Sequence, residues 1–308
     1  MKIDPRHLRY LQAIEENGTF ISAAEAEGIS QPALTNKISL LEAQLDTRLI
    51  DRGRFGARLN EFGRLLLRHA RAIDAVIDRA TDEVERARQG ESGPIVIGAT
   101  PISMIELVPR ALDGLDQHNS RIRVSIEEAY DDLLLDKLRA GEIDLMVGGL
   151  LVGQREPDLE VEPLISLPLE AVVGARSKLW QRETIALSEL LECDWALPAL
   201  GSVIRSYVDA IFVASGEAMP NRYWSCSSMH GLKSVIQHTE RISLMPRHAF
   251  VLEERAGHLK GIRLVGPTSS RQLNILRLRH LPSSALSNLF SEQLRLSAKR
   301  LESNSPSV

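Results

Sequence analysis

Apolar side chains recur at helical spacing close to the start of the chain. Leu8, Leu11 and Ile14 give the segment His7–Glu16 one apolar stripe, which predicts a first amphipathic helix. Asn17-Gly18 ends it, and Thr19 is a suitable N-cap for a second helix through Phe20, Ala23, Ala24 and Ala26. Gly28 supplies a sharp turn, after which Ser30 caps a third helix with Pro32 inside its first turn, where the missing N–H costs nothing. Two helices joined by a short Gly-containing turn make a helix-turn-helix. Ala23 and Ala24 permit close approach of the pair, and Ile29, Leu34, Ile38 and Leu41 supply its apolar side. Gln31, Thr35, Asn36 and Lys37 are left on the polar face, the one that enters a major groove in this motif.

Beyond a hairpin-like segment, Arg52–Asn60, the helical pattern returns and runs unbroken from Glu61 to Gln89. Its apolar positions Leu66, Ala70, Ile73, Ile77, Ala80, Val84 and Ala87 alternate between spacings of four and three, a heptad seam. Such a seam on a long helix between two domains predicts dimerisation. Gly90–Gly93 reads as a hinge, and from there strand-like and helix-like segments alternate, predicting an α/β domain with largely parallel sheets. Strands are expected at Ile95–Ala99, Ile122–Glu127, Asp144–Val147, Glu170–Val173, Trp195–Leu197, Ile242–Leu244 and Gln272–Leu278. Helices are expected at Ser103–Gln117, Asp132–Ala140, Ser202–Ser215, Ser228–His238 and Ser283–Ala298.

Composition narrows the function classes. At 308 residues the chain calls for two or more cores, and with 44% hydrophobic and 25% charged residues it is globular throughout, except for a disordered polar tail expected at Glu302–Val308. It has no apolar run of membrane-spanning length and no secretory leader at its start, so a cytoplasmic protein with no membrane partner is expected. Cys193 and Cys226 form no C-x-x-C, which argues against a zinc site or disulfide framework; no cofactor or metal is expected. The net charge of −4 hides a strong local asymmetry: from Arg48 to Arg71 seven arginines face only Asp51 and Glu61, a balance of +5. Placed after a helix-turn-helix, that cluster fits double-stranded DNA phosphates.

The run Phe20-Ile21-Ser22-Ala23-Ala24, then Ile29-Ser30-Gln31-Pro32-Ala33-Leu34-Thr35, Ile38-Ser39-Leu40-Leu41-Glu42 and Arg48-Leu49-Ile50-Asp51-Arg52 resembles, without a gap, the DNA-binding segment of LysR-type transcriptional regulators. The departures are Gly28, expected to loosen the second helix by up to about 1 kcal/mol, Thr35 for Ser, and Asp46 where Gly is usual. The resemblance implies a winged helix-turn-helix at 1–60, a linker and dimerisation helix at 61–89 and an effector-binding domain at 93–308. It implies DNA contacts from Ser30, Gln31, Pro32, Thr35, Asn36 and Lys37, and from Arg52, Arg54 and Arg58 in the wing, where Phe55 replaces a frequent arginine. Gly93–Gly98, Leu107–Arg110 and Leu138–Val147 resemble the family's sensor, implying two lobes like those of periplasmic binding proteins: lobe 1 at about 93–165 and 265–300, lobe 2 at about 166–264. The implied assembly is a homodimer or homotetramer, with RNA polymerase as a further partner.

Ligands of two-lobed α/β domains lie beyond strand carboxyl ends, near helix N-termini. Thr100 and Ser103, Gly201 and Ser202, and Ser227 and Ser228 occupy such positions, and their N–H and hydroxyl donors favour an anion, especially a carboxylate. Asp144 and the stretch Leu197–Val203 resemble a subgroup of the family whose effectors include sugars and aromatic acids, which implies an organic acid or sugar-related effector. The alternatives are an α/β enzyme or a solute-binding protein carrying an accessory N-terminal domain. Against catalysis, no G-x-S-x-G, G-x-x-x-x-G-K-[ST] or H-E-x-x-H motif occurs, and His230 and His238 are merely near neighbours on one helix. Gly148–Gly153 lacks the spacing of a nucleotide loop and is read as an interlobe crossover.

Overall fold

The computed structural model describes residues 3–53, 56–89, 95–116 and 122–304. The chain divides near Glu91 into two compact units. In the first, α1 (Pro5–Asn17) buries Leu8, Leu11 and Ile14, and the N–H of left-handed Gly18 closes its end on the Ile14 carbonyl. Thr19 caps α2 (Phe20–Ala26) by accepting the Ser22 N–H at 3.1 Å, and Ser30 caps α3 (Gln31–Leu45) by accepting the Ala33 N–H at 3.3 Å.

Gly28 does not loosen the second helix, because it lies past the helix end at φ +65°. Its N–H donates to the Glu25 carbonyl, and the Ile29 N–H donates to the Ala24 carbonyl. That pair of bonds is the Schellman closure, in which glycine is the favoured residue rather than a penalty.

The hairpin consists of β1 (Ile50–Gly53) and β2 (Gly56–Leu59), with Ile50 opposite Leu59 and Asp51 opposite Arg58. Glu42 holds it to α3: one carboxylate oxygen accepts both the Leu49 N–H, at 2.8 Å, and the Ile50 N–H. Next, α4 (Glu61–Gln89) begins where Asn60 accepts the Gly63 N–H. A side chain at Gly63 would place its Cβ 2.3 Å from the Leu49 carbonyl oxygen, so this close approach demands glycine. Leu67 and Ala70 of α4 are buried in the core of this unit. The expected seam is divided, since Leu66 and Ile73 pack partly on that core whereas Ile77, Ala80 and Val84 are exposed.

The second unit opens with β3 (Ile95–Ala99), α5 (Leu107–Asp116), β4 (Val124–Glu128), α6 (Asp131–Ala140) and β5 (Leu145–Gly148), in which β3 pairs in parallel with both β4 and β5. The helix expected from Ser103 starts only at Leu107. The Ser103 hydroxyl donates to the Thr100 carbonyl, and residues 101–106 form turns, a local competition typical of Ser and Thr.

The longest strand, β6 (Leu159–Gly174), is followed by β7 (Thr184–Ala186), α7 (Leu187–Leu190), β8 (Trp195–Pro198), α8 (Val203–Ser215), β9 (Tyr223–Cys226), α9 (Met229–His238) and β10 (Ser243–Pro246). A 3-10 turn at Arg247–Ala249, then α10 (Val251–Arg255), β11 (Leu259–Val265), β12 (Ser270–Leu278) and α11 (Ala285–Asn304) complete the chain. Two lobes share β6: Leu159–Pro168 pairs with β12, and Leu169–Gly174 pairs with β10 and β11. The passage between lobes is therefore made inside a continuous strand.

Three expectations change. Gly148–Gly153 is not the crossover, because β5 and the first half of β6 both pair with β12 in the same lobe. The sheets are mixed rather than largely parallel, since β6 and β12 run antiparallel to every neighbour they pair with. The tail starts later, because α11 continues through Glu302 and Ser303 to Asn304. The hinge Gly90–Gly93 and the wing residues Arg54 and Phe55 lie outside the described residues. One buried cluster runs from Ile97 and Phe290 of the first lobe to Leu232 and Phe250 of the second, and another surrounds Trp195 and Phe212.

Candidate nucleic-acid interface and ligand cleft

On α3 the buried row Leu34, Ile38 and Leu41 fixes the helix against its own unit, which turns Gln31, Pro32, Asn36 and Lys37 to solvent with Ser30 just ahead of them and Thr35 half-buried. Amide side chains in this setting can pair with an adenine edge, and Lys37 can reach a guanine or a phosphate. Arg58 is exposed on the hairpin, on the face opposite buried Ala57 and Leu59. Arg52 stands opposite Ala57 in the ladder, while Arg54 falls outside the described residues.

The second unit carries a cleft of about 270 Å³ between its lobes. Gly201, Ser202, Ser227 and Ser228 all line it, so four of the six residues expected to meet an effector converge. Ser202 caps α8 by accepting the Arg205 N–H, and Ser228 caps α9 by accepting the Gly231 N–H. Thr100 lines a separate, much smaller space of about 10 Å³. Ser103 is fully buried, and its hydroxyl is used within the fold, on the Thr100 and Val147 carbonyls.

Sequence reasoning missed the charged groups here. Arg271, on β12, is 2% exposed and bonds both carboxylate oxygens of buried Asp131 through Nη2 at 3.0 Å. Asp131 also accepts the Gly149 N–H at 2.7 Å. Arg205, in the first turn of α8, is buried too, with Nε on Asp209 and Nη1 on the Pro198 carbonyl. Tyr130 bridges the lobes by accepting the Met229 N–H at 2.9 Å, and burial pushes its hydroxyl above the usual tyrosine pKa. The only signal for Arg271 was a cation directly before an apolar strand, and for Asp131 an acid in the first turn of a helix; neither announces a buried pair.

Among the described residues no group of three or more His, Cys, Asp and Glu side chains is placed to hold a metal ion. No helix among them is long and apolar enough to cross a membrane.

Comparison with known proteins covers both units. Residues 5–64 match the family described as bacterial regulatory helix-turn-helix protein, lysR family, and residues 88–298 match the LysR substrate binding domain. The HTH-type transcriptional regulator PcaQ of Agrobacterium fabrum is 31% identical over 231 residues, covering 75% of this chain and 74% of PcaQ. An SDS degradation transcriptional activation protein of a Pseudomonas species is 30% identical over 266 residues, 85% of each chain. Among solved structures, a single-site variant of full-length OxyR from Pseudomonas aeruginosa aligns with a TM-score of 0.64 at 23% identity, covering 96% of each chain. Full-length CbnR in complex with its target DNA aligns at 0.62 and 22%, covering 96% of this chain and all of CbnR, a likeness of fold.

Proposed function

The chain belongs to the LysR family of transcriptional regulators, and from that premise we propose that it binds an operator through α3 and the wing and is modulated by an organic acid or sugar-related effector held between the lobes of its second unit. The observation that carries the DNA reading is the division of α3 into a buried row, Leu34, Ile38 and Leu41, and an exposed polar row, Gln31, Asn36 and Lys37. A helix so divided keeps its donors and acceptors free for base edges, and Arg58 adds phosphate contact from the wing.

Exposed Ile77, Ala80 and Val84 on α4 support a dimer formed through that helix, with a tetramer if the second units pair as well. Two recognition helices related by a two-fold axis read a pseudo-palindrome, and their phosphate contacts add. For the effector, Gly201, Ser202, Ser227 and Ser228 surround one cleft beside the N-termini of α8 and α9, a setting that favours negative charge.

Footprinting of the full-length protein on the DNA flanking its own gene tests the operator reading. The expected result is a protected, partly palindromic site whose affinity falls steeply as salt rises. Gln31→Ala should cost about 1–3 kcal/mol of discrimination at one base pair, and Arg58→Ala should weaken all sequences alike. Equal binding to that site and to random duplex at moderate salt overturns the proposal.

A further inference from the structure

The solvent face of α3 is not uniformly polar. Pro32 and Ala33 are exposed at its start, Asn36 and Lys37 follow, and Leu40 continues the same face, 46% exposed. Leu40 stands four residues past Asn36 and three past Lys37, and side chains at those spacings are neighbours on a helix surface. The core of the first unit takes Leu34, Ile38 and Leu41 from this helix and leaves Leu40 out. Those three buried side chains, with Glu42 accepting the Leu49 and Ile50 N–H groups, fix the rotation of α3 about its own axis. Leu40 therefore cannot turn inward without exposing one of them.

A face that carries Asn36 and Lys37 into a major groove carries Leu40 with them. At about 1.5 Å per residue, Leu40 lies roughly 6 Å further along the helix than Asn36, no more than about two base-pair steps of 3.4 Å. Leucine has neither a donor nor an acceptor for a base edge. Pressed on the edge of a G·C pair it would strip water from polar groups and return no hydrogen bond, which is costly. The apolar group that the major groove presents is the 5-methyl of thymine.

Resting on the operator reading above, we infer that Leu40 is a specificity-determining residue: it packs on the 5-methyl group of a thymine in each half-site, one or two base pairs from the base that Asn36 reads. Continuity with the exposed row Gln31, Asn36 and Lys37 supports this occupant. A hydrogen-bonding side chain at the same place would select by donor and acceptor; Leu40 selects by shape and by exclusion of water.

The test starts from a pool of random-sequence duplexes, so that no operator has to be known beforehand. Selection with the full-length protein is expected to fix a thymine at one position of each half-site. Leu40→Ala should lose that preference and keep the others, and Leu40→Met, which retains an apolar side chain, should keep it. In the selected duplex each thymine is then replaced in turn by deoxyuridine, which removes only the methyl group. At the Leu40 position the affinity of the unaltered protein should fall about fourfold for one half-site and about fifteenfold for both, the loss expected for one buried methyl in each. Leu40→Ala should bind the thymine and uracil duplexes alike, and Leu40→Gln serves the same purpose if the alanine variant fails to fold. Identical preferences with and without Leu40, or equal affinity of the unaltered protein for thymine and uracil duplexes, overturns the inference. So does a Leu40→Ala protein that binds DNA unchanged but no longer regulates the promoter, since a protein partner would then occupy this side chain. Enrichment of no sequence at all strikes the operator reading, and the role of Leu40 with it.

Discussion

Asp46 has a φ of 47°, and it is the one non-glycine residue at positive φ among those described. It ends α3, where its N–H donates to the Ala43 carbonyl while the Thr47 N–H reaches Glu42. The left-handed region costs an L residue about 1–2 kcal/mol, somewhat less for Asp, whose short polar side chain is better tolerated there. Asp46→Gly is therefore expected to stabilise the first unit by up to about 1 kcal/mol, the backbone entropy of glycine cancelling part of the relief. Urea unfolding of the variant checks the sign, and a lower midpoint would show that the Asp side chain contributes more than its strain costs. Gly28 is the complementary case: read as a weak point of a helix, it proves to be the residue that closes it.

Among the elements, α4 changes character along its length. Its first half contributes Leu67 and Ala70 to the core beside α1, and its second half exposes apolar side chains, Ile77 at 55% and Val84 at 63%. No helix retains such a stripe cheaply in water, which supports the proposal that the partner helix of a dimer packs on the second half. A carboxylate there would be buried without a counter-charge. Ile77→Asp should split the dimer and abolish operator protection while the monomer stays folded, because Ile77 takes no part in the core of its own unit. Sedimentation of the variant decides the matter: an unchanged oligomer places the interface elsewhere.

At the scale of the whole molecule, β6 binds the two lobes into one sheet, and a charge on this strand bears on the stability of the entire second unit. Glu170 sits on it, just beyond the passage between lobes. Burial raises its pKa above the ordinary carboxylate value, the nearby Glu254 adding to the rise against the pull of Arg247 and Arg263. A carboxyl group with a raised folded pKa binds its proton more tightly in the folded state, so the stability it confers is fully present below the unfolded value of about 4.5 and is lost as pH climbs through the folded one. Glu170→Gln is expected to raise the Tm of the second unit near pH 7 and to flatten its decline between pH 4.5 and neutrality. Thermal unfolding across that range would show otherwise if the two proteins kept parallel profiles.

The sequence by itself determined the parts whose physics is local. A cap needs an oxygen three residues from its N–H, as in Thr19 to Ser22 and Ser30 to Ala33, and an amphipathic face needs only its own period, as in α1, α3 and α4. These features, with the arginine cluster after them, made the DNA-binding reading legible from residue types and spacing. The tertiary structure decided what depends on partners remote in the chain. β6 could not be read as one strand of sixteen residues, because its first half owes its pairing to β12 and its second to β10 and β11. The Arg271–Asp131 pair joins positions 140 residues apart, and the hydroxyls of Thr100 and Ser103, which looked free for a ligand, turned inward to carbonyls that only the folded sheet supplies. Burial and hydrogen-bond satisfaction are properties of the assembled lobes, so no local pattern could say which cap would face the cleft and which arginine would be buried with two nitrogens unpaired.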